Sequence, residues 1–390
     1  MKAGQALSRH ADYDRSGIGF INLGSLLSQI VQIAGYPTLL SLALTRVDYP
    51  SWVVGIIVSL QWIVVLFLAP TVPTLLKQLG PKTTCQAGAT VSIVAVGLLL
   101  ASTSLPSIAI SSLLMGLGLT IRWVACDTWI VESTPEHLRG RVVGIHETLM
   151  GLGIAIGPIL TMVSAGNETA ALVTLGVILA LSVISFAFGA APDLQTDGVE
   201  ADHSGRSKIS FVFRALALAL LAAIVAGYIE TAMVALLPIH LMSFSYSEAH
   251  ALMLLSAFGL GGTVLQTPLG WLADRWSFRA GQILCCALII LGGLLIIFAV
   301  NTPAVILVAL FFWGGCVGGL NTLAVIEAGA TLRVGLSGTG MALIASCYTL
   351  GGVVGPIVSG TTLSSLGGHG AIVIIVMLTA IYGTTLAGKR

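Results

Sequence analysis

GLGIAIGPIL, residues 151–160, and GGVVGPIVSG, residues 351–360, are two renderings of one pattern. Each is rich in glycine and carries a Gly-Pro step, Gly157-Pro158 and Gly355-Pro356, and the two steps lie 198 residues apart. Short loops precede both, LRGRVVG at 138–144 and LSGTGMA at 336–342. A second pair keeps almost the same offset, VPTLLKQLGPK at 72–82 against LGWLADRWSFR at 269–279. Two matched spacings in the same order predict a duplicated chain. Glycine and proline at these positions let helices approach closely and bend, which suits packing and hinging in a helix bundle.

The bundle must lie in a membrane. Of 390 residues 56% are hydrophobic and only 8% charged, against about 25% charged in an average soluble domain. Mean hydropathy is +1.01. The 17 basic and 16 acidic side chains cannot clothe a soluble surface of this size. The apolar residues run in blocks of about 20 or more, the length that crosses roughly 30 Å of hydrocarbon as helix.

Twelve spans are expected, from 17–45 to 370–387, giving an all-α membrane protein of two pseudo-symmetric six-helix halves. A tail occupies 1–16, the first bundle 17–190, a hydrophilic linker 191–209 and the second bundle 210–390. With both termini on the cytoplasmic side, fifteen lysines and arginines fall inside and only Arg46 outside, the asymmetry that sets orientation. Shifting the count by one span would scramble it.

TPLGWLADRWSFR (267–279) resembles the loop motif of the major facilitator superfamily. Gly270, Leu272, Ala273, Asp274, Arg275 and Arg279 match, whereas Ser277 and Phe278 depart from it. The first-half copy is eroded, with Pro73 and Lys77 at the glycine and aspartate positions. Arg122 resembles that superfamily's fourth-helix arginine. Gly153-x-x-x-Gly157-Pro158 resembles the fifth-helix motif of its antiporters. DTWIVESTPEHLRGRVVG (127–144) resembles the corresponding stretch of its drug- and metabolite-efflux-like branches. The resemblance implies alternating access about a midplane site, export as the favoured direction, and a cytoplasmic latch made by Gly270, Asp274, Arg275 and Arg279, for which Glu327 is an expected partner.

The stretch LTIRWVACDTWIVE (119–132) puts Arg122 and Asp127 inside a span. A charge at a helix centre costs roughly 2.5–3.5 kcal/mol on insertion scales, so intramembrane charges mark functional pathways by default. Arg122 and Glu147 fall at similar depths on sequential spans and are expected to meet. Asp127, near an inner end, is expected to join Arg139 or Arg141 at an inner gate. Glu230 sits mid-span with no basic residue at its depth in its own half, so it is the expected proton carrier. At the repeat offset Arg122 corresponds to Leu320, Glu147 to Ala345 and Glu230 to Gln29 or Gln32. Charge kept by one half alone points to work rather than folding. Gln32, Tyr36, Tyr228, Asn321 and Tyr348 are further candidates for the cavity wall, although such residues also serve as interhelical glue.

Other chemistries find no foothold. The six cysteines lie in apolar runs with neither disulfide nor metal-ligand spacing. GTTLAGKR (383–390) mimics a phosphate loop, but Arg390 stands where serine or threonine belongs. No enzyme constellation, metal site or cofactor is expected, and no basic face for nucleic acid. The expected partners are a small organic solute, protons and the bilayer, in a monomer of a bacterial inner membrane. The alternatives are a proton-coupled importer of an anionic metabolite anchored by Arg122, and a non-transporting receptor or assembly factor on a carrier fold.

Overall fold

The computed structural model describes residues 14–163, 167–189, 205–332 and 334–388. Eleven of its helices are long and apolar enough to cross a membrane. One of them, Ser51–Ala101, has 51 residues, which at about 1.5 Å per residue would overshoot a bilayer more than twofold. It is two arms, parted at Gly80, where φ is 74° and ψ is 163°. Glycine adopts that left-handed φ without a Cβ clash, and Pro81 then starts the next arm. Twelve crossings result.

We label them α1 (Arg15–Arg46), α2 (51–79), α3 (81–101), α4 (Leu105–Ser133), α5 (Glu136–Val163), α6 (Glu168–Phe188), α7 (Ala217–Met242), α8 (Glu248–Leu272), α9 (Phe278–Phe298), α10 (Pro303–Thr331), α11 (Val334–Leu366) and α12 (Gly370–Gly388). The seventh span starts at 217 rather than at the expected 210, because Gly205–Ala215 forms a separate short helix. Most of the linker, residues 190–204, and the tail to residue 13 lie outside the described residues. Several starts are fixed by side-chain caps. Asp14 accepts from Gly17 N at 2.9 Å, Asn167 from Ala170 N at 3.0 Å and Ser277 from Ala280 N at 3.1 Å. Each oxygen satisfies one of the amides a helix start leaves open.

The duplication is visible in the packing. Gly153 and Gly157 bring α5 onto α1 at Gln29–Gly35, and Gly351 and Gly355 bring α11 onto α7 at Ile224–Thr231. In α1 this is where residues Ile30–Gly35 widen into a π-helix, a form that favours functional sites. A Cβ on Gly157 would lie 2.6 Å from the Ala34 Cβ and 2.6 Å from Gly35 N. Gly157→Ala is therefore expected to lower stability by about 1–3 kcal/mol through overpacking, read as a lower melting temperature in detergent. Gly19→Ala, with nothing within 4 Å of its Cβ, is the neutral control.

The halves meet tightly towards the outer side. Gly55 of α2 lies against the Pro356 carbonyl of α11, and Gly360 against the Ser51 carbonyl. Ser59 Oγ donates to the Val353 carbonyl at 2.8 Å, and Trp52 N to Ser364 Oγ at 3.2 Å. Thr38 of α1 donates to the Val234 carbonyl of α7 at 3.4 Å. Near mid-depth α5 touches α8, where a Cβ on Gly259 would lie 2.7 Å from Ala155 N. On the outer face Arg46 ties the halves together, bonding Glu168 Oε1 at 2.8 Å and Glu248 Oε1 at 2.7 Å. The largest apolar core runs wholly within residues 212–386.

Candidate functional site

Inward of these contacts lies a cavity of about 390 Å³ walled by both halves. Its wall is built from helix faces at the 3.6-residue period. On α5 the face is Glu147, Met150, Gly151 and Ile154; on α11 it is Met341, Ile344, Ala345 and Tyr348. Both series step i, i+3, i+4, i+7, so one stripe of each helix faces the space. The glycines of the Gly-x-x-x-Gly pattern occupy a different face of α5 and hold it to α1.

Cavity positions repeat at the same 198-residue offset. Trp123 of α4 corresponds to Asn321 of α10, Asp127 to Val325, Glu147 to Ala345, and Met150 to Tyr348; all eight line the cavity. The second half thus places an uncharged residue wherever the first half places an acid on these helices. Gln32 of α1 corresponds to Glu230 of α7. Glu230 reaches the cavity wall and is hydrogen-bonded to Tyr348. Asp127, Glu147 and Glu230 are the charged residues of that wall.

Arg122 does not meet Glu147. It is fully buried, and its Nε donates to Gln32 Oε1 at 3.0 Å and its Nη2 to Gln29 Oε1 at 2.8 Å. Its Nη1 lies 3.9 Å from the Met150 sulfur. Depth along the chain predicts similar height but not azimuth. Arg122 and Cys126 share the inward-packed stripe of α4, whereas Trp123 and Asp127, also four residues apart, share the cavity stripe. Gln32 is held in turn, donating from Nε2 to Ser92 Oγ at 2.7 Å. Gln61 donates to the Gln32 carbonyl at 2.6 Å. Gly88 lets α3 come against the Arg122 backbone, since a Cβ there would lie 2.6 Å from Arg122 N. The guanidinium is thus an anchor between α4 and α1, one residue behind the cavity wall.

Asp127 has a partner that the sequence did not suggest. Its Oδ1 is 3.2 Å from His146 Nε2, and His146 Nδ1 is 2.9 Å from Asn22 Oδ1. Asp127 bonds this buried histidine, which the sequence reading passed over. Tyr36 is turned away from the central cavity: its hydroxyl is 2.8 Å from Ser111 Oγ, and it lines a separate outer cavity of about 160 Å³. Tyr228 bonds Ser359 at 3.1 Å and is absent from the central wall, as is Gln32. Asn321 and Tyr348 are in it.

The inner-gate residues are described only in part. Arg275 stacks over Trp271, 4.1 Å from the ring centre. Glu327 is buried and accepts from Gln282 Nε2 at 3.0 Å, with Arg279 near enough to act on it electrostatically. Arg141 is exposed, and Gly270 has open space around its Cβ position. The side chains of Arg139 and Asp274 lie outside the described residues.

Trp62 and Trp123 are wall residues that sequence reasoning missed. Their signal was available, since tryptophan favours the membrane interfaces and these two lie deep within spans.

A twelve-span bundle of repeated halves, closed on one side around a polar cavity, is the architecture of solute carriers that work by alternating access. The chain belongs to the Major Facilitator Superfamily, whose family profile matches residues 17–356, and it is a secondary transporter rather than an enzyme. It is 26% identical over 311 residues to the uncharacterized MFS-type transporter YfkF of Bacillus subtilis, covering 77% of this chain and 76% of YfkF. It is 23% identical over 366 residues to the uncharacterized MFS-type transporter YcaD of Salmonella newport, covering 92% of each. Among solved structures a variant of the nucleoside transporter NupG superposes with a TM-score of 0.80 at 13% identity, covering 95% of this chain and 99% of NupG. That likeness is one of fold.

Proposed function

We propose that this carrier exports a small organic solute in exchange for protons, in a bacterial inner membrane and as a monomer. The observation that carries the reading is Glu230: a carboxyl in the cavity wall, bonded to a neutral tyrosine, where the wall itself contributes no basic side chain. A carboxyl placed so can take a proton from one side and return it to the other as access alternates. Glu147, facing the same space, is the second acid through which solute and proton can compete. Gly153, Gly157 and Pro158, with Gly355 and Pro356, are the packing points about which α5 and α11 move against α1 and α7. Asp127, Arg139, Arg141, Gly270, Asp274, Arg275, Arg279 and Glu327 are proposed to gather into an inner gate when the cavity opens outward. Import of an anionic metabolite has less support, because its intended anchor, Arg122, is fully enclosed.

Purified protein in liposomes with a trapped pH dye tests the direction. Solute moving one way while protons move the other supports exchange; solute and protons moving together overturns it. Absence of any flux across a broad solute panel, with the fold intact, would favour the receptor alternative.

The Arg46 clasp belongs to the state with the outer side closed. Only the Arg46–Glu248 pair spans the halves, and an exposed ion pair contributes about 0.2–1 kcal/mol, so Arg46→Ala is expected to shift the balance towards outer opening by up to about fivefold. A cysteine introduced at Thr38, which is buried at the outer contact, should then react faster with a water-soluble maleimide, in a background freed of native cysteines. An unchanged rate would remove the clasp from the gating equilibrium.

A further inference from the structure

We propose that the cargo of this cavity is an organic cation carrying a flat aromatic body, an inference that rests on reading the cavity as the transport site. Three observations converge. The ionisable side chains of the wall are all acids, Asp127, Glu147 and Glu230. They lie on three helices, so the acidic character belongs to the whole space rather than to one local cluster. The one arginine at this depth is fully buried, its Nε and Nη2 taken by Gln32 and Gln29. Enclosed so, it presents no surface to a solute in the cavity. His146 is the basic group facing Asp127, at 3.2 Å, and it is 2% exposed and lies behind the wall. When protonated it neutralises Asp127 and still leaves Glu147 and Glu230.

Shape and surface supply the rest. Trp62, Trp123 and Tyr348 present aromatic groups to the same space, and aromatic faces attract cations while stacking on flat rings. Trp62 and Tyr348, one from each half, stand 6.2 Å apart at an interplanar angle of 69°. The cavity of about 390 Å³ is of the size that encloses a small organic molecule. The Asn321 Oδ1 is buried without a donor, which adds an acceptor suited to an N–H of the cargo. A matched charge is favoured against this wall and a like charge disfavoured, so its acids select against anions as well as attracting cations.

The test uses three probes with one two-ring frame and different charge: N-methyl-4-phenylpyridinium, uncharged 4-phenylpyridine and biphenyl-4-carboxylate. Their binding to the purified full-length protein in nanodiscs is measured by equilibrium dialysis slightly above neutral pH, with empty nanodiscs subtracted. The cation is expected to bind at least about tenfold more tightly than the uncharged probe, and the carboxylate not at all. The double variant Asp127→Asn, Glu147→Gln is expected to cut the preference for the cation over the uncharged probe several-fold, with Glu230 left as the remaining acid. Trp123→Leu is expected to weaken the cation and the uncharged probe alike. Equal or tighter binding of the carboxylate overturns the proposal, as does failure of the cation to bind. The comparison among probes on the unmodified protein needs no variant, so a variant that misfolds cannot leave the question open. Cation binding without proton-driven movement leaves the cargo class standing and removes proton coupling. Proton-driven movement of an anionic or uncharged solute without cation binding does the reverse.

Discussion

Glu230→Gln is expected to cut proton-driven solute flux by about a hundredfold or more, to the level of passive leak, while solute-for-solute exchange across a membrane without a proton gradient persists. Glutamine keeps the shape of the side chain and an oxygen that can accept from the Tyr348 hydroxyl, so the wall of α7 against α11 is preserved. What it loses is the exchangeable proton, and an intramembrane ionisable group is kept at a cost that only its function repays. The two assays therefore separate coupling from binding. If driven flux survives in Glu230→Gln, the coupling role passes to Glu147, which faces the same cavity from α5. Glu147→Gln would then carry the decisive measurement.

The second large effect is expected at Arg122, and its sign needs magnitudes. Burying a guanidinium costs several kcal/mol even after the surroundings relax, and Asp127, which bonds His146, acts on Arg122 only electrostatically. Against that stand two charge-assisted hydrogen bonds, to Gln32 at 3.0 Å and Gln29 at 2.8 Å, each contributing about 1.5–3 kcal/mol. Removing the side chain also strands two amide oxygens and opens a cavity at a fully buried site. Losses outweigh relief, so Arg122→Ala is expected to destabilise the fold by about 3 kcal/mol. Intrinsic tryptophan fluorescence during thermal unfolding in detergent reads it. Arg122→Lys should recover only part, because one ammonium on a flexible stem replaces a planar fork that reaches both glutamines. A melting temperature unchanged in Arg122→Ala would mean that desolvation cancels the bonds, leaving the residue no net part in stability.

The position of Arg122 shows how far a sequence can be read. Its presence in a span, its depth and its absence from the second half were all legible, because hydropathy and spacing are properties of the chain taken one helix at a time. Its partners were not. Glu147 lies at a suitable height, but Arg122 sits on the packed stripe of α4 and Glu147 on the cavity stripe of α5. The three tyrosines make the same point. Tyr36, Tyr228 and Tyr348 are indistinguishable as polar aromatics inside spans, yet only Tyr348 reaches the central wall. Trp62 and Trp123, which the sequence analysis did not single out, line the cavity.

The sequence by itself determined that the chain crosses a membrane twelve times, that its halves are copies, which side is basic, and which ionisable residues are held in oil by one half alone. These follow from transfer free energy, segment length and the 198-residue repeat, none of which needs a neighbour to be known. The tertiary structure decided which residues face the cavity, that Arg122 is an anchor for α1, that Asp127 bonds His146, and that Arg46 clasps Glu248 across 202 residues of chain. The physical reason is rotation. In hydrocarbon every face of a helix is equally free of water, so nothing within a span fixes its azimuth; contacts with neighbouring helices do, here through glycines that let backbones touch.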